Sequence, residues 1–201
     1  MDWEHLPWRL RYQYGAEWMS ELRRLAILAT HRHADVRIPK ISRLGPGFDL
    51  RIPGRGAFVV GPGVDFRRGF VAEVAEGGRV EIGPACTFTS FALVQCSTSI
   101  TVGTRVVFAQ NLLLADGNHR FRDHTRHVLD QGYNFRPVTI GDNAMILSKC
   151  TVLADIGEGA VIGANSVVTR PVPAFCLAAG VPARVLEYFG PPDQSPPGLG
   201  G

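Results

Sequence analysis

The chain has 201 residues, of which 45% are hydrophobic and 19% charged, with a formal net charge of +3. That is enough apolar material for one core plus an appendage, and it excludes a disordered chain. Gly 23 and Pro 14 against 9% aromatic residues mean many turns and few bulky rings, which argues against a helix bundle.

Residues 1–34 form one compositional block and are expected to be a short N-terminal helical segment. From Ala16 to Thr30 the apolar residues Trp18, Met19, Leu22, Leu25, Ala26 and Ala29 recur at helical spacing and make one amphipathic face. That face is expected to pack on the main domain or on a neighbouring subunit. Trp3, Trp8, Tyr12, Arg9 and Arg11 leave a peripheral membrane contact as the lesser alternative.

Residues 35–189 are expected to form the main domain, and from about Val60 a period of six sets in. Ile82, Phe88 and Val94, then Val102, Phe108 and Leu114, then Ile140, Ile146 and Val152, then Ile156, Ile162 and Val168 are all aliphatic or Phe. The residue after the first member of each block is Gly83, Gly103, Gly141 and Gly157, and Gly163 follows Ile162; four after each first member stand Cys86, Val106, Ala144 and Ala160. A hexad with one aliphatic and one small residue facing inward suits a triangular parallel β-helix, in which three hexads close a coil of about 18 residues. A period of six makes no helical face. Glycine is expected at the corners because φ leaves the strand region there. The step from Ile82 to Val102 is 20 residues and that from Ile140 to Ile156 is 16, read as corner insertions and deletions. Residues 118–136 break the hexads, are polar, and are expected to be an excursion loop with a functional role. Residues 190–201, GPPDQSPPGLGG, have the composition of a disordered tail.

No run approaches the ~20 apolar residues of a membrane span, and the start of the chain lacks the charged-then-apolar pattern of a signal peptide, so a cytoplasmic location is expected. Cys86, Cys96, Cys150 and Cys176 are then thiols, and their spacing fits no zinc motif. The arginines are spread along the chain rather than gathered into a basic stripe, so no nucleic-acid partner is expected.

The region Ile82 to Glu187 resembles the hexapeptide-repeat acyltransferases, the group that includes maltose, galactoside and serine O-acetyltransferases. Three stretches carry the resemblance: Val102-Gly103 through Asp116-Gly117-Asn118-His119, Pro137 through Ile146, and Ile162-Gly163-Ala164-Asn165-Ser166 through Pro173 followed by Ala179-Gly180-Val181-Pro182-Ala183-Arg184. The resemblance implies an all-β fold, a left-handed parallel β-helix, and transfer of an acetyl group from acetyl-CoA to a hydroxyl. It implies no metal. It also implies a homotrimer with active sites between subunits, so that His119 would face Ser148 and Ala164 of a neighbour.

Within the resemblance His119 occupies the position of the general base, a task suited to an imidazole of reference pKa about 6.5. Asp116 lies near enough to orient it, although a corner Asp more often serves turn chemistry. Ser148 matches the residue whose backbone N–H stabilises the oxyanion, and Ala164 the one whose amide holds the pantetheine arm. Thr169 and Arg170 match the pair near the adenosine phosphates, where a planar guanidinium suits phosphate. Met145 stands where the family often has Trp and softens the acyl end of the coenzyme groove. Pro182 and Arg184 complete the C-terminal signature along that groove. The two-residue shortening at Leu153-Ala154-Asp155 is expected to reshape one edge of it, so an acyl group larger than acetyl is an alternative.

The acceptor is expected to be a glycan or other small molecule. The Asn and Asp that contact sugar in galactoside and maltose acetyltransferases are replaced by Thr87-Phe88-Thr89-Ser90-Phe91 and Val94-Gln95-Cys96, which does not support those sugars. N-acylation of an amino sugar and a non-catalytic β-helix scaffold are the alternatives. A zinc site of the γ-carbonic-anhydrase kind is disfavoured: His119 and His124 mimic two ligands, but no His lies between His33 and His119 to supply the third. His124 and His127 are expected on the loop.

Overall fold

The computed structural model describes residues 15–196. Trp3, Trp8, Arg9, Arg11 and Tyr12 lie outside the described residues, as does the end of the expected tail. Within that tail, Pro192–Gln194 form a 3-10 turn and Tyr188 Oη donates to Pro191 O at 2.7 Å.

The body is the left-handed parallel β-helix of hexapeptide repeats. Short strands stack into three parallel sheets of five, eight and six strands, the eighth strand of the second being antiparallel. All twelve hexad positions named above are buried. They stack in register: Ile82 on Val102 on Ile140, Phe88 on Phe108 on Ile146, and Val94 on Leu114 on Val152. The repeat also begins earlier than its clearest sequence signal. Asp35–Arg37, Arg43–Leu44 and Asp49–Arg51 are strands of a first coil that pairs with Ala57–Val60, Asp65–Phe66 and Val71–Val74.

Two of the three corners hold a constant six-residue step, as in Val60 to Phe66 to Ala72 and Ile140 to Ile146 to Val152. All length variation falls on the third edge, where the six-stranded sheet passes to the five-stranded one. There the step is 10 residues from Ala72 to Ile82, 8 from Val94 to Val102, 26 from Leu114 to Ile140, and 4 from Val152 to Ile156. The perimeter shrinks toward the C-terminus, and the core shrinks with it. Phe66, Phe88 and Phe108 fill the wide coils, with Phe88 and Phe108 stacked at 4.4 Å and 16°; Ile146, Ile162 and Ala178 continue the same column in the narrow ones. Matching side-chain volume to perimeter is what keeps such a core at crystal-like density.

The corner glycines have a different cause from the one expected. The left-handed φ falls two residues later, on Ala85 (55°), Arg105 (56°), Asn143 (56°) and Gly159 (63°). Gly83, Gly103, Gly141 and Gly157 are glycines because the next coil passes directly over them: a Cβ on Gly141 would overlap the backbone of Glu158, and one on Gly157 that of Ala174.

The helix Gly15–Thr30, here α1, packs on the main domain through its other side, so of the expected packings of the apolar face the one on its own domain does not occur. Trp18, Met19, Leu22 and Leu25 are 75%, 48%, 56% and 49% exposed, and Ala26 and Ala29 are exposed too. The buried side carries Ser20, whose Oγ accepts from Leu44 N at 2.8 Å, and Arg23, which donates to Leu44 O at 3.0 Å. Arg24 donates to Ile38 O, His31 to Leu50 O and His33 to Ile52 O. Among the described residues no coil precedes the first, so its outward backbone groups need polar partners, and the polar side of the helix, with His31 and His33 just after it, supplies them. At the other end Cys176–Gly180 turns back on Ala183–Tyr188 as an antiparallel hairpin.

Replacing Gly157 by Ala is expected to cost about 1–3 kcal/mol and to lower Tm by roughly 2–12 °C. Gly63→Ala, where a Cβ meets nothing within 4 Å but φ is +72°, is expected to cost about 1–2 kcal/mol from the backbone alone. Thermal unfolding of the two variants checks this order.

Candidate active site

The excursion leaves the variable edge after Leu114 and returns at Val138. It is a hairpin rather than an open loop. Gly117–His119 pairs antiparallel with Tyr133–Phe135, with Gly117 opposite Phe135 and His119 opposite Tyr133. Gly117 must be glycine because the Phe135 ring lies where its Cβ would be. The tip is cross-braced. Gln131 accepts from Asp123 N and donates to Asp123 O and Arg126 O, all within 3.0 Å, and Arg120 Nε donates to Asn134 Oδ1 at 2.9 Å. Thr125 N and Oγ1 both donate to the Asp123 carboxylate and hold it below the usual carboxylate range. Arg136 ties the return to the next coil through Asp155 at 2.8 Å, and Asp155 also accepts from Thr139 N at 2.9 Å.

His119 is half-buried. Its ring lies 4.2 Å from that of Tyr133, which stacks in turn on Phe135 at 5.3 Å. His119 Nδ1 is buried and has no hydrogen-bond partner among the described residues. The residue stands on the wall between two cavities. One, of about 480 Å³, is held within the excursion by Arg120, Arg122, Arg126 and Gln131; the other, of about 420 Å³, lies over the six-stranded sheet against Leu113, Ala115, Thr151 and Leu153. Asn118 and His119 line both.

Asp116 does not orient the imidazole. It is 3% exposed, and both of its oxygens face the preceding coil's corner. Oδ1 accepts from Ser97 N at 2.8 Å; Oδ2 accepts from Thr98 N, Thr98 Oγ1 and Ser99 N at 2.6, 2.8 and 3.0 Å. The carboxylate stands in for strand pairing where the chain crosses that corner. Tyr133 positions His119 instead, and the sequence reading, which took residues 118–136 as a loop, missed it. The pairing of Gly117-Asn118-His119 with Tyr133-Asn134-Phe135 has no signal in the sequence, since neither strand alternates apolar residues and no short turn joins them.

Ser148 and Ala164 meet at one corner on successive coils, where Asn165 N donates to Ser148 O at 2.9 Å. Ser148 Oγ also donates to Gln110 Oε1 at 2.8 Å. Met145 is exposed on the neighbouring sheet between Val107 and Val161. Pro182 and Arg184 lie in the C-terminal hairpin, held to the Ala164 corner by Gly180 N donating to the buried Ser166 Oγ at 3.0 Å; the Val181–Pro182 bond is cis. Thr169 and Arg170 are exposed at the third edge, after Val168. One chain therefore puts His119 and the Ser148–Ala164 pair on different corners of the prism. His124 and His127 are exposed, His127 Nδ1 accepting from Leu129 N, and neither lines either cavity. Among the described residues no group of three His, Cys, Asp or Glu is arranged to hold a metal ion.

All four cysteines are buried free thiols. Burial pushes each thiol up, and at Cys96 burial together with the nearby Asp116 charge takes it to about 12.

Comparison with known proteins places these features in a class. No protein-family model matches the chain. Galactoside O-acetyltransferase of Escherichia coli is 36% identical over 98 residues, 48% of this chain and 47% of that one. A solved galactoside acetyltransferase in complex with coenzyme A superposes with a TM-score of 0.52 and 28% identity, covering 70% of this chain and 65% of that one. A hexapeptide transferase family protein from Anaplasma phagocytophilum shares the fold with a TM-score of 0.52 at 20% identity, covering 79% of this chain and 86% of that one. In sequence and in fold the chain thus resembles the hexapeptide-repeat acyltransferases. It spans about half the length of the curated relatives it matches.

Two outcomes are expected. Asp116→Asn should lower stability by about 1.5–3 kcal/mol, because hydrogen bonds to a charged group are lost at a buried corner; the urea midpoint reads this. Stability should also be full below pH ~9, where the thiols of the unfolded chain keep their protons, and should fall as pH rises from there toward 12, because the folded state retains a proton on Cys96 that the unfolded chain releases. Cys96→Ser should flatten that decline in alkaline melting curves.

Proposed function

We propose that the protein is an acetyl-CoA-dependent O-acetyltransferase with His119 as its general base. The observation that carries this reading is the position of His119, held by Tyr133 on the wall common to two cavities. An acceptor hydroxyl in one can then reach a thioester in the other. The hydroxyl oxygen attacks the thioester carbonyl carbon while His119 takes the hydroxyl proton. The tetrahedral intermediate collapses with cleavage of the C–S bond, and His119 returns the proton to the coenzyme's sulfur. The oxyanion is held by the Ser148 backbone N–H. The Ala164 amide binds the pantetheine arm, Met145 and Pro182 border its path, and Thr169, Arg170 and Arg184 take the adenosine phosphates.

The working unit in this reading is a homotrimer. His119 leaves one edge of a chain while Ser148 and Ala164 lie at another corner, so a complete site needs a neighbour, and a triangular prism closes threefold by apposing such edges. The acceptor is a glycan or small molecule, and the reaction is cytoplasmic. The likeness to galactoside O-acetyltransferase supports the acetyl donor and an oxygen acceptor.

Acetyl-CoA and free CoA are expected to stabilise the purified protein by about 2.7 kcal/mol at a hundredfold excess over Kd; absence of any thermal shift with either would refute the coenzyme site. His119→Ala should keep the coenzyme shift and the fold while lowering kcat by about 10²–10⁴. Mixed trimers of His119→Ala with a variant blocked at the Ala164 corner should regain part of the activity, and no recovery at all would refute the shared site.

A further inference from the structure

Several arginines on the β-helix faces pair with carboxylates, whereas exposed Arg55, Arg68, Arg105 and Arg170 form no ion pair among the described residues. Arg37 pairs with Asp35 at 2.7 Å, Arg51 with Asp49 and Glu73 at 2.8 Å, and Arg67 with Asp65 at 3.2 Å. In the excursion Arg136 is paired with Asp155, but three other arginines gather about one cavity. Arg120, Arg122 and Arg126 line the 480 Å³ cavity, and none of them forms an ion pair among the described residues. Arg120 Nε is spent on Asn134, one Arg126 nitrogen on the carbonyl of Asp130, and Arg122 lies 5.7 Å over the Phe121 ring. The cavity's one acid, Asp123, is occupied by Thr125 and by the bracing of its own backbone. Three guanidiniums therefore converge on a braced, open cavity against one engaged carboxylate, and the general base stands on its wall.

We propose that the acceptor carries an oxyanion, a phosphate or carboxylate group, which the excursion's arginines bind while the hydroxyl to be acylated is presented to His119. This deepens the reading above and rests on it for the hydroxyl's fate; the anion site itself does not depend on turnover. A guanidinium offers a planar pair of donors that matches either oxyanion. A neutral sugar in the same cavity would leave three cations facing a single carboxylate, that of Asp123. The anion takes no part in bond making. It fixes register, so that one hydroxyl of several meets the base. Asn118, Gln131 and Asn134 remain for the neutral hydroxyls of such a ligand.

The test uses the full-length protein and three probes of one skeleton: glucose, glucose 1-phosphate and glucuronate. Binding is followed by titration calorimetry without coenzyme at low and high salt, and CoA release is followed with acetyl-CoA present. Glucose 1-phosphate or glucuronate should bind at least tenfold more tightly than glucose, with the advantage shrinking at high salt. The charged probe that binds more tightly identifies which oxyanion the site takes. Arg122→Gln, whose side chain holds no part of the hairpin, should abolish most of that advantage with Tm and the coenzyme-induced thermal shift unchanged; Arg126→Gln should also cut the advantage and keep the coenzyme-induced shift, with a small loss of Tm because its hydrogen bond to Asp130 O is removed. Equal binding of all three probes, or an anion preference that survives in the Arg122→Gln, Arg126→Gln double variant, overturns the proposal. Failure of the acetyltransferase reading is separate: it shows as no thermal shift with acetyl-CoA or CoA, whatever the calorimetry gives.

Discussion

In this molecule each strand finds its hydrogen-bond partners in the coil before and the coil after. Leu93 N donates to Leu112 O, Leu113 N to Cys150 O and Thr151 N to Ser166 O, and the same ladder repeats on the other two sheets. That ladder requires every coil to lie directly over the last, at the spacing of paired strands, about 4.8 Å. At such a distance a side chain cannot fit where one coil crosses the next at a corner, so Gly83, Gly103, Gly141 and Gly157 form a column without Cβ atoms. Where φ must turn positive over such a column the chain can even accept a ring: Phe91 (φ 64°) and Phe175 (φ 55°) lie over Gly69 and Gly159.

The same constraint decides where the molecule can vary. Two corners are locked at six residues because their aliphatic positions must stack, and only the third edge absorbs insertion. The excursion, the Asp116 brace and the shortened Asp155 corner all lie there. Asp116 exists because the longer crossing at residues 96–99 leaves three backbone N–H groups pointing inward, and a buried carboxylate satisfies all of them. Charge repulsion from that carboxylate, added to burial, keeps Cys96 protonated and chemically quiet. A scaffold that tolerates length at one edge gathers its chemistry on that edge, as loops on rigid frames commonly do.

The hexads were legible in sequence because an inward residue every six positions is dictated by geometry that repeats. The first coil was harder to read, because Ile38, Leu44 and Leu50 sit among Arg, Asp and Pro and lack the glycine that marks later blocks. That α1 meets its own domain through its polar side has a physical reason: apolar periodicity reports which side could be buried, while the open edge of the first coil demands hydrogen bonds such as Ser20, Arg23 and Arg24 give. Likewise Asp116 and His119 are close in sequence, and sequence alone cannot tell that the carboxylate turns back one coil. The pairing of His119 with Tyr133 depends on a hairpin between polar strands whose residues show neither apolar alternation nor a short turn.

The state of the His119 ring follows from these placements. A general base in a water-exposed loop would be held by solvent on both nitrogens. Here Tyr133 covers one face and Nδ1 is enclosed with no acceptor from the described residues, an arrangement that costs about 1–3 kcal/mol for a buried polar atom. Where Asp116, Asp155 and Ser166 answer other crossings with a carboxylate or hydroxyl, this ring nitrogen has no such partner among the described residues. Such local expense persists where the rest of the structure over-determines it, and the cross-braced hairpin does so through Gln131, Asn134 and Arg136. The ring, covered by Tyr133 on one face, lies between the cavity within the excursion and the one over the six-stranded sheet.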